Sequence, residues 1–274
     1  MTEKKLHRTG QEKPDRIILQ INIIIFMGSN MHILVISDIH SNYTALDAVI
    51  KDAGNFDQVW CLGDVVGYGP EPDECIRRLR EFAPVCLAGN HDLAVAGSLG
   101  LGDFTKEARE MIVWTRARIS GSHLNWLKSN PSTALIMEHG ITLVHGSPRD
   151  PIWEYISARE VAKDNLGFID TPVCLNGHTH MPVIYRKPWD GLKVLEERLP
   201  VNTPIRLTLD RMFINPGSVG QPRDEDPRAA YALIDLEAMS LTHRRVQYDV
   251  SATQKLMKAA RLPGSLIRRL RFGQ

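Results

Sequence analysis

The sequence predicts an α/β fold, with parallel strands and helical crossovers in the first half and antiparallel strands in the second. Three observations carry this. Residues 32–37, 58–62 and 84–88 are short, nearly continuous apolar runs, the pattern of strands buried on both faces of a sheet. The stretches between them hold apolar residues at helical spacing, and such alternation implies right-handed crossovers. Later runs alternate apolar and polar residues, as antiparallel strands with one solvated face do.

Taken in order, residues 1–30 stand apart. Lys4, Lys5, Arg8, Lys13 and Arg16 precede an apolar run over 17–27, the outline of a secretion signal. Gln20 and Asn22 interrupt that run, and no small-residue cleavage pattern follows. It is also far shorter than the ~20 residues that span a bilayer. Two readings stay open: a true start at Met31, or a disordered or loosely docked extension. The globular pattern begins at 31. Leu46, Val49 and Ile50 give 42–53 a helical face that stops at Gly54, and Pro72 opens a second helix with Ile76 and Leu79 inside. Residues 103–130 read as two helices, 105–119 and 122–129, joined around Gly121. Strands are expected at 134–138, 141–145 and 172–175, with a helix near 157–166. The alternating strands follow at 183–186, 192–196, 206–209, 212–214, 230–234 and 241–246. Residues 251–274 are basic, without an acidic residue. Their apolar stripe of Leu256, Ala259, Ala260, Leu266, Ile267 and Leu270 predicts two short helices packed on the body with a solvated basic face.

The totals agree with a globular chain. Its 274 residues are 43% hydrophobic and 24% charged, enough to bury a substantial core. A formal net charge of +1 gives no general reason to expect nucleic acid or an anionic membrane as partner. Cys61, Cys75, Cys86 and Cys174 form no CxxC pair, and Cys61 and Cys174 sit inside apolar runs as small buried hydrophobes do. A reduced, cytoplasmic protein is expected. No P-loop and no GxSxG elbow occur, which sets aside nucleotide-dependent phosphoryl transfer and serine hydrolysis.

Five fragments each follow an apolar run: Asp38-Ile39-His40, Gly63-Asp64, Gly89-Asn90-His91-Asp92, His145-Gly146 and Gly177-His178-Thr179-His180. In α/β sheets, ligands bind at the carboxyl ends of the strands, so these loops would converge. Singly, an aspartate after a strand is an ordinary cap and Gly-Asn an ordinary turn. Together they supply carboxylate, amide and imidazole ligands without thiolate, a set suited to Mn, Fe, Zn, Co or Ni. Two carboxylates and several imidazoles suffice for two ions, the arrangement that serves in-line displacement at phosphorus.

The five blocks, in this order, resemble the signature blocks of the calcineurin-like metallophosphoesterase superfamily. Gly67-Tyr68-Gly69-Pro70 and Asn215-Pro216-Gly217-Ser218 look like a bacterial branch of small phosphodiesterases and diadenosine tetraphosphatase relatives. The resemblance implies a two-sheet β-sandwich flanked by helices, four layers in the order α/β/β/α, over 31–250. It implies two divalent ions, manganese first and Fe, Ni, Zn or Co as alternatives. Asp38, His40 and His180 would bind one ion, Asn90, His145 and His178 the other, with Asp64 bridging. A hydroxide between the ions would attack phosphorus, His91 would protonate the leaving oxygen, and Asp92 would orient His91. Outside the blocks, Arg149, Tyr68 and Arg223 are candidate substrate contacts. For Arg149 a surface salt bridge is the competing reading, and for Trp153 and Tyr155 the choice lies between pocket wall and core packing. The expected activity is hydrolysis of a small phosphodiester. Phosphomonoester, phosphoprotein and dinucleoside polyphosphate hydrolysis stand as alternatives, and so does a silent metal-binding scaffold. No stable nucleic-acid partner and no membrane are expected, and oligomeric state is left open.

Overall fold

A computed structural model describes residues 31–207 and 210–274. The apolar run over 17–27 and the two readings of 1–30 lie outside the described residues.

Two six-stranded mixed sheets form the centre. The first runs β3-β2-β1-β11-β12-β9, from β1 (His32–Ile36), β2 (Gln58–Cys61), β3 (Val85–Cys86), β9 (Pro204–Arg206), β11 (Ala229–Asp235) and β12 (Ser240–Val246). Its β1–β2–β3 portion is parallel, and β1 then pairs antiparallel with β11. The second runs β4-β5-β6-β10-β7-β8, from β4 (Leu135–Met137), β5 (Ile141–Leu143), β6 (Val173–Leu175), β7 (Val183–Lys187), β8 (Leu195–Arg198) and β10 (Arg211–Asn215). There β5, β6 and β10 are parallel, and the β7–β8 pairing is antiparallel.

The period-two geometry of a strand divides β1 between two cores. Ile33 and Val35 join Trp60, Leu62, Leu143, Leu175, Met212 and Ile214 between the sheets. Leu34 and Ile36 point the other way, against helices α1 (Tyr43–Ala53) and α2 (Pro72–Arg80) through Leu46, Val49, Ile76 and Leu79. The outer face of the second sheet, through Val144, Cys174, Tyr185 and Phe213, packs on Ala162 of α6 (Arg159–Asn165). The order is therefore helices, sheet, sheet, helix, as the resemblance implied. Helices α4 (Lys106–Arg116) and α5 (Gly121–Ser129) fall where the periodicity put them, with Thr105 capping α4 through the Ala108 amide at 3.2 Å.

Three elements differ from the sequence reading. Asn90–Ala96 is a helix, α3, rather than a loop after β3. The strand expected at 192–196 is shifted to Leu195–Arg198, and that expected at 206–209 becomes Pro204–Arg206. The C-terminal pair exists as α7 (Val250–Ala259) and α8 (Gly264–Arg269), with Leu266, Ile267 and Leu270 in the helix-side core. The buried face of α7 is Thr253 and Met257, whereas Leu256 is 42% exposed. All four cysteines are free and buried. No helix among the described residues is long and apolar enough to cross a membrane.

Candidate metal centre

All five fragments meet at the carboxyl ends of β1, β2, β3, β5 and β6. Backbone hydrogen bonds tie the loops to one another rather than to the strands behind them. The amide of Asp38 donates to the Gly63 carbonyl at 3.0 Å, that of His40 to Asp64 at 3.0 Å, and that of Gly177 to His145 at 2.9 Å. The loop after β10 closes the ring, with Gly220 donating to Asp38 at 3.0 Å. Asn215, Pro216, Gly217 and Ser218, legible in sequence only as a rigid turn, prove to be the brace of this loop. The Asn215 amide donates to the Gly177 carbonyl at 2.6 Å and to Thr179 Oγ1 at 3.0 Å, and Ser218 Oγ donates to the Asp38 carbonyl at 2.7 Å. Ser37, which the sequence reading passed over, donates to Asp38 Oδ2 at 2.6 Å.

The approach is close enough to need glycine. A Cβ on Gly89 would lie 2.1 Å from Asp64 Oδ1, and one on Gly177 would lie 2.0 Å from Ser37 Oγ. The ligand residues carry the strain of this crowding. Asp38, His40, Asp64, His178 and His180 all have φ between 48° and 67°. Left-handed backbone costs a non-glycine residue about 1–3 kcal/mol and persists where its surroundings over-determine it, which happens mostly at functional sites.

The imidazoles define what the centre holds. His40 Nδ1 faces the Val66 carbonyl at 3.2 Å, His145 Nδ1 the Leu62 carbonyl at 2.9 Å and His180 Nδ1 the Gln221 carbonyl at 2.6 Å. His178 is bonded to the backbone of Trp153. A ring nitrogen facing a carbonyl must be the donor, so in the neutral ring the other nitrogen presents an electron pair. Those pairs turn inward. His40 Nε2 and His180 Nε2 lie 3.1 Å apart, two acceptors aimed at each other. Among the described residues, Asp38 Oδ1 has no hydrogen-bond partner and lies 3.3 Å from His180 Nε2, and His178 Nε2 has no partner either. Asp64 Oδ2 stands midway, 3.6 Å from His40 Nε2 and 3.6 Å from His145 Nε2. Asn90 Oδ1 is 3.3 Å from His145 Nε2.

Buried acceptors facing acceptors are unfavourable alone and favourable around a cation. Burial shows the same tension. It pushes the Asp38 carboxyl up to about 7 and holds Asp64 well above its usual value, the Asp92 charge adding to the latter. It drives His40, His178 and His180 well below the usual imidazole value. Asp38 with His40 and His180, and Asp64 with His145 and His178, form two groups whose ligand atoms all lie within 4.8 Å of one another. The donor set therefore fits two divalent cations.

Residues 31–239 match the family model of the calcineurin-like phosphoesterase superfamily domain. The chain belongs to this superfamily. It is thus a metallophosphoesterase, a hydrolase of phosphate esters. It is 43% identical to the crystal structure of a metallophosphoesterase from Sphaerobacter thermophilus, covering 90% of this chain and 100% of that one with a TM-score of 0.82. An uncharacterized protein of Methanocaldococcus jannaschii is 37% identical over 251 residues, 88% of this chain and 98% of the relative. A symmetrical bis(5′-nucleosyl)-tetraphosphatase of Aliivibrio salmonicida is 32% identical, over 39% of this chain and 40% of its own length.

Around the centre of this phosphoesterase, a pocket of about 70 Å³ opens between Asp64, Asn90, His91, His178 and His180 below and Tyr68, Phe104, Trp153, Tyr155 and Arg223 above. Tyr155 stacks flat on His178, ring centroids 4.0 Å apart at 2°, and stays 47% exposed. It is therefore pocket wall, whereas Trp153 does both jobs: it lines the pocket and packs on the helix-side core, edge-on to buried Phe104 at 4.9 Å. Arg223 lies 5.9 Å over the Tyr68 ring and donates to Gln221 Oε1 at 3.1 Å. Its Nε has no partner, and no carboxylate pairs with it among the described residues.

Two expectations are corrected. Asp92 does not hold the His91 ring. Its carboxylate accepts from the amides of Val65 at 3.1 Å, Val66 at 3.0 Å and Gly89 at 3.1 Å. It caps α3 and pins the loop after β2, because a buried carboxylate needs donors and these three amides supply them, while His91 Nδ1 has no hydrogen-bond partner among the described residues. Arg149 does not reach the pocket. It forms ion pairs with Glu154 and Asp164 at the surface, where Glu154 also accepts from Asn165 at 2.8 Å.

Proposed function

We propose that this phosphoesterase hydrolyses phosphodiesters at a dinuclear centre, with manganese the preferred ion. The observation that supports it most is the set of inward electron pairs on His40, His180 and His145 around Asp64 Oδ2. Asp38, His40 and His180 would hold one ion, Asn90, His145 and His178 the second, and Asp64 would serve both. When bound, such a pair supplies a water acidified to near-neutral pKa and positive charge for the phosphoryl oxygens.

The remaining work falls to side chains. Arg223 supplies a charge-assisted hydrogen bond to a non-bridging phosphoryl oxygen. It is the one arginine or lysine among the described residues lining the mouth, which suits the single charge of a diester better than the double charge of a monoester. His91, 4% exposed on the pocket wall, gives the leaving oxygen its proton. In the free chain burial, Arg223 and His145 hold that imidazole down to about 3. The negative charge of a bound diester acts in the opposite sense and favours the protonated ring. Water adds its oxygen to phosphorus, the ester P–O bond breaks, and the proton passes through His91 to the departing oxygen. Four free buried cysteines support a reducing, cytoplasmic setting for this activity.

The test is hydrolysis of an aryl phosphodiester beside an aryl phosphomonoester, after chelation and after adding back Mn, Ni, Zn or Mg. Diester turnover restored by Mn and absent in Asp64→Ala is the expected result. Faster monoester turnover overturns the diester assignment. His91 also shares a ligand-spaced group with His40 and Asp64, which favours a second role as ligand. His91→Ala separates the two: an acid's loss lowers turnover by roughly 10²–10⁴ with metal content kept, and a ligand's loss removes metal as well.

A further inference from the structure

The pocket over the metal centre holds little beyond a phosphoryl group, and a groove of about 840 Å³ lies on the other side of one of its wall residues, Arg223. Arg223 lines both spaces, and Thr179, between the two histidines of the last ligand loop, lines the groove. Its volume lies inside the ~300–1,000 Å³ range of small-molecule sites. We infer that this groove is the subsite for the leaving half of the substrate, and that this half is a nucleoside carrying a phosphate of its own. The inference rests on the hydrolytic role proposed for the adjoining centre.

The charges of the groove decide its occupant. Asp224 pairs with Arg245, Asp226 with Arg228, and Glu197 with Arg186. Those groups are spent on one another. Arg159, Arg198 and Arg223 line the groove and have no carboxylate within the 4.0 Å of an ion pair among the described residues. Glu196 and Glu225 line it equally without a cation. Free guanidiniums are phosphate donors, often bidentate. Free carboxylates accept from hydroxyls, as a ribose offers. Met181, 48% exposed, and Val201, 40% exposed, add apolar wall for a flat base. A long polyanionic strand would set further phosphates against Glu196 and Glu225, so a single phosphorylated nucleoside suits the wall better.

The reaction then has a defined form. In a 5′-phosphorylated dinucleotide, water attacks the internal phosphorus and the bond from phosphorus to the 3′-oxygen breaks. That oxygen takes a proton and leaves with the phosphorylated nucleoside in the groove. One water is consumed and two nucleoside 5′-monophosphates result.

Three probes test this: bis(p-nitrophenyl) phosphate, the dinucleotide ApA, and its 5′-phosphorylated form pApA. Each is assayed with the wild type and with the double variant Arg159→Ala/Arg198→Ala. Both positions are exposed and unpaired, so folding is retained. The kcat/KM ratio of pApA to the aryl diester is expected to fall about tenfold in the double variant, the worth of one charged hydrogen bond, while the ratio for ApA falls less. A second readout is calorimetric binding of AMP to the metal-free protein, expected to weaken by a similar factor. An unchanged pApA ratio, or AMP binding equal in both proteins, overturns the inference. A wild type that hydrolyses none of the three sinks the proposed reaction instead, because the AMP measurement reads the groove by itself.

Discussion

Two polar clusters follow the same strand of the second sheet, and they end in opposite conditions. Past β5 the chain passes His145 and then Ser147, Arg149 and Glu154. In the second group the polar atoms answer each other: Arg149 pairs with Glu154, and Asn165 donates to Glu154 at 2.8 Å and accepts from the Arg149 amide at 3.0 Å. In the first, His145 Nε2, Asn90 Oδ1 and Asp64 Oδ2 are acceptors gathered around a common point. A structural cluster closes its hydrogen bonds. A cluster that leaves electron pairs facing one another, on left-handed backbone, is built for something that is absent from the sequence.

The largest effect that would break this contrast lies at Asp64. Asp64→Asn keeps the shape and removes the charge between the two imidazoles. Turnover should fall by more than the roughly 10–100-fold typical of losing a supporting contact around a metal. In the same variant the chelated protein should gain stability, because burial holds the native carboxyl far above its ordinary value and that cost disappears. Denaturation of the metal-free forms checks it, and a loss of stability would count against the contrast.

Metal itself should come next. Adding Mn to the chelated wild type at about 100 times its dissociation constant should raise stability by about 2.7 kcal/mol, and the Arg149–Glu154 region contributes nothing to that gain. Chemical denaturation of Arg149→Ala with and without Mn measures it. The variant should show the same Mn-dependent increment as wild type. Arg223→Ala, by contrast, should raise KM for the aryl diester by about tenfold, as expected for a charged hydrogen bond to phosphate.

A smaller effect concerns pH. His243 is buried under the groove, and burial, then Arg245, holds its imidazole down to about 4, with Asp226 opposing and Arg228 assisting. An unfolded histidine takes its proton near 6.5. Between about 4 and 6.5 the unfolded chain therefore binds more protons, and stability must rise with pH across that window. His40, His178 and His180 are lowered in the same sense. His243→Gln should flatten part of the slope, seen as a smaller difference between urea midpoints at pH 4.5 and 6.5.

How much of this could be read beforehand follows from where each signal resides. The parallel strands were legible because β1, β2 and the first helices carry periodicity within a few residues, and the ligand loops because each follows such a run. Helix α3 was hidden: its first turn is Asn90, His91 and Asp92, polar residues that look like loop, and its apolar part is only Leu93 to Ala96. The job of Asp92 was hidden for a related reason, since the Val65 and Val66 amides that claim it are 27 and 26 residues away in the chain. Arg149 stood three positions from the glycine of the fourth block, yet Glu154 and Asp164, brought round by the following loop and helix, decide where it points. The groove had no sequence signal, because its walls come from separate stretches around 157, 181, 198, 224 and 243.

The most direct measurement is anomalous diffraction from crystals loaded with Mn. The expected map has two peaks about 3.5–4 Å apart. One would lie among Asp38, His40 and His180, the other among Asn90, His145 and His178, with Asp64 between them and no density at Arg149 and Glu154. A single peak, or none with the His40 and His180 nitrogens still 3.1 Å apart, would contradict the reading of these inward pairs as a dinuclear centre.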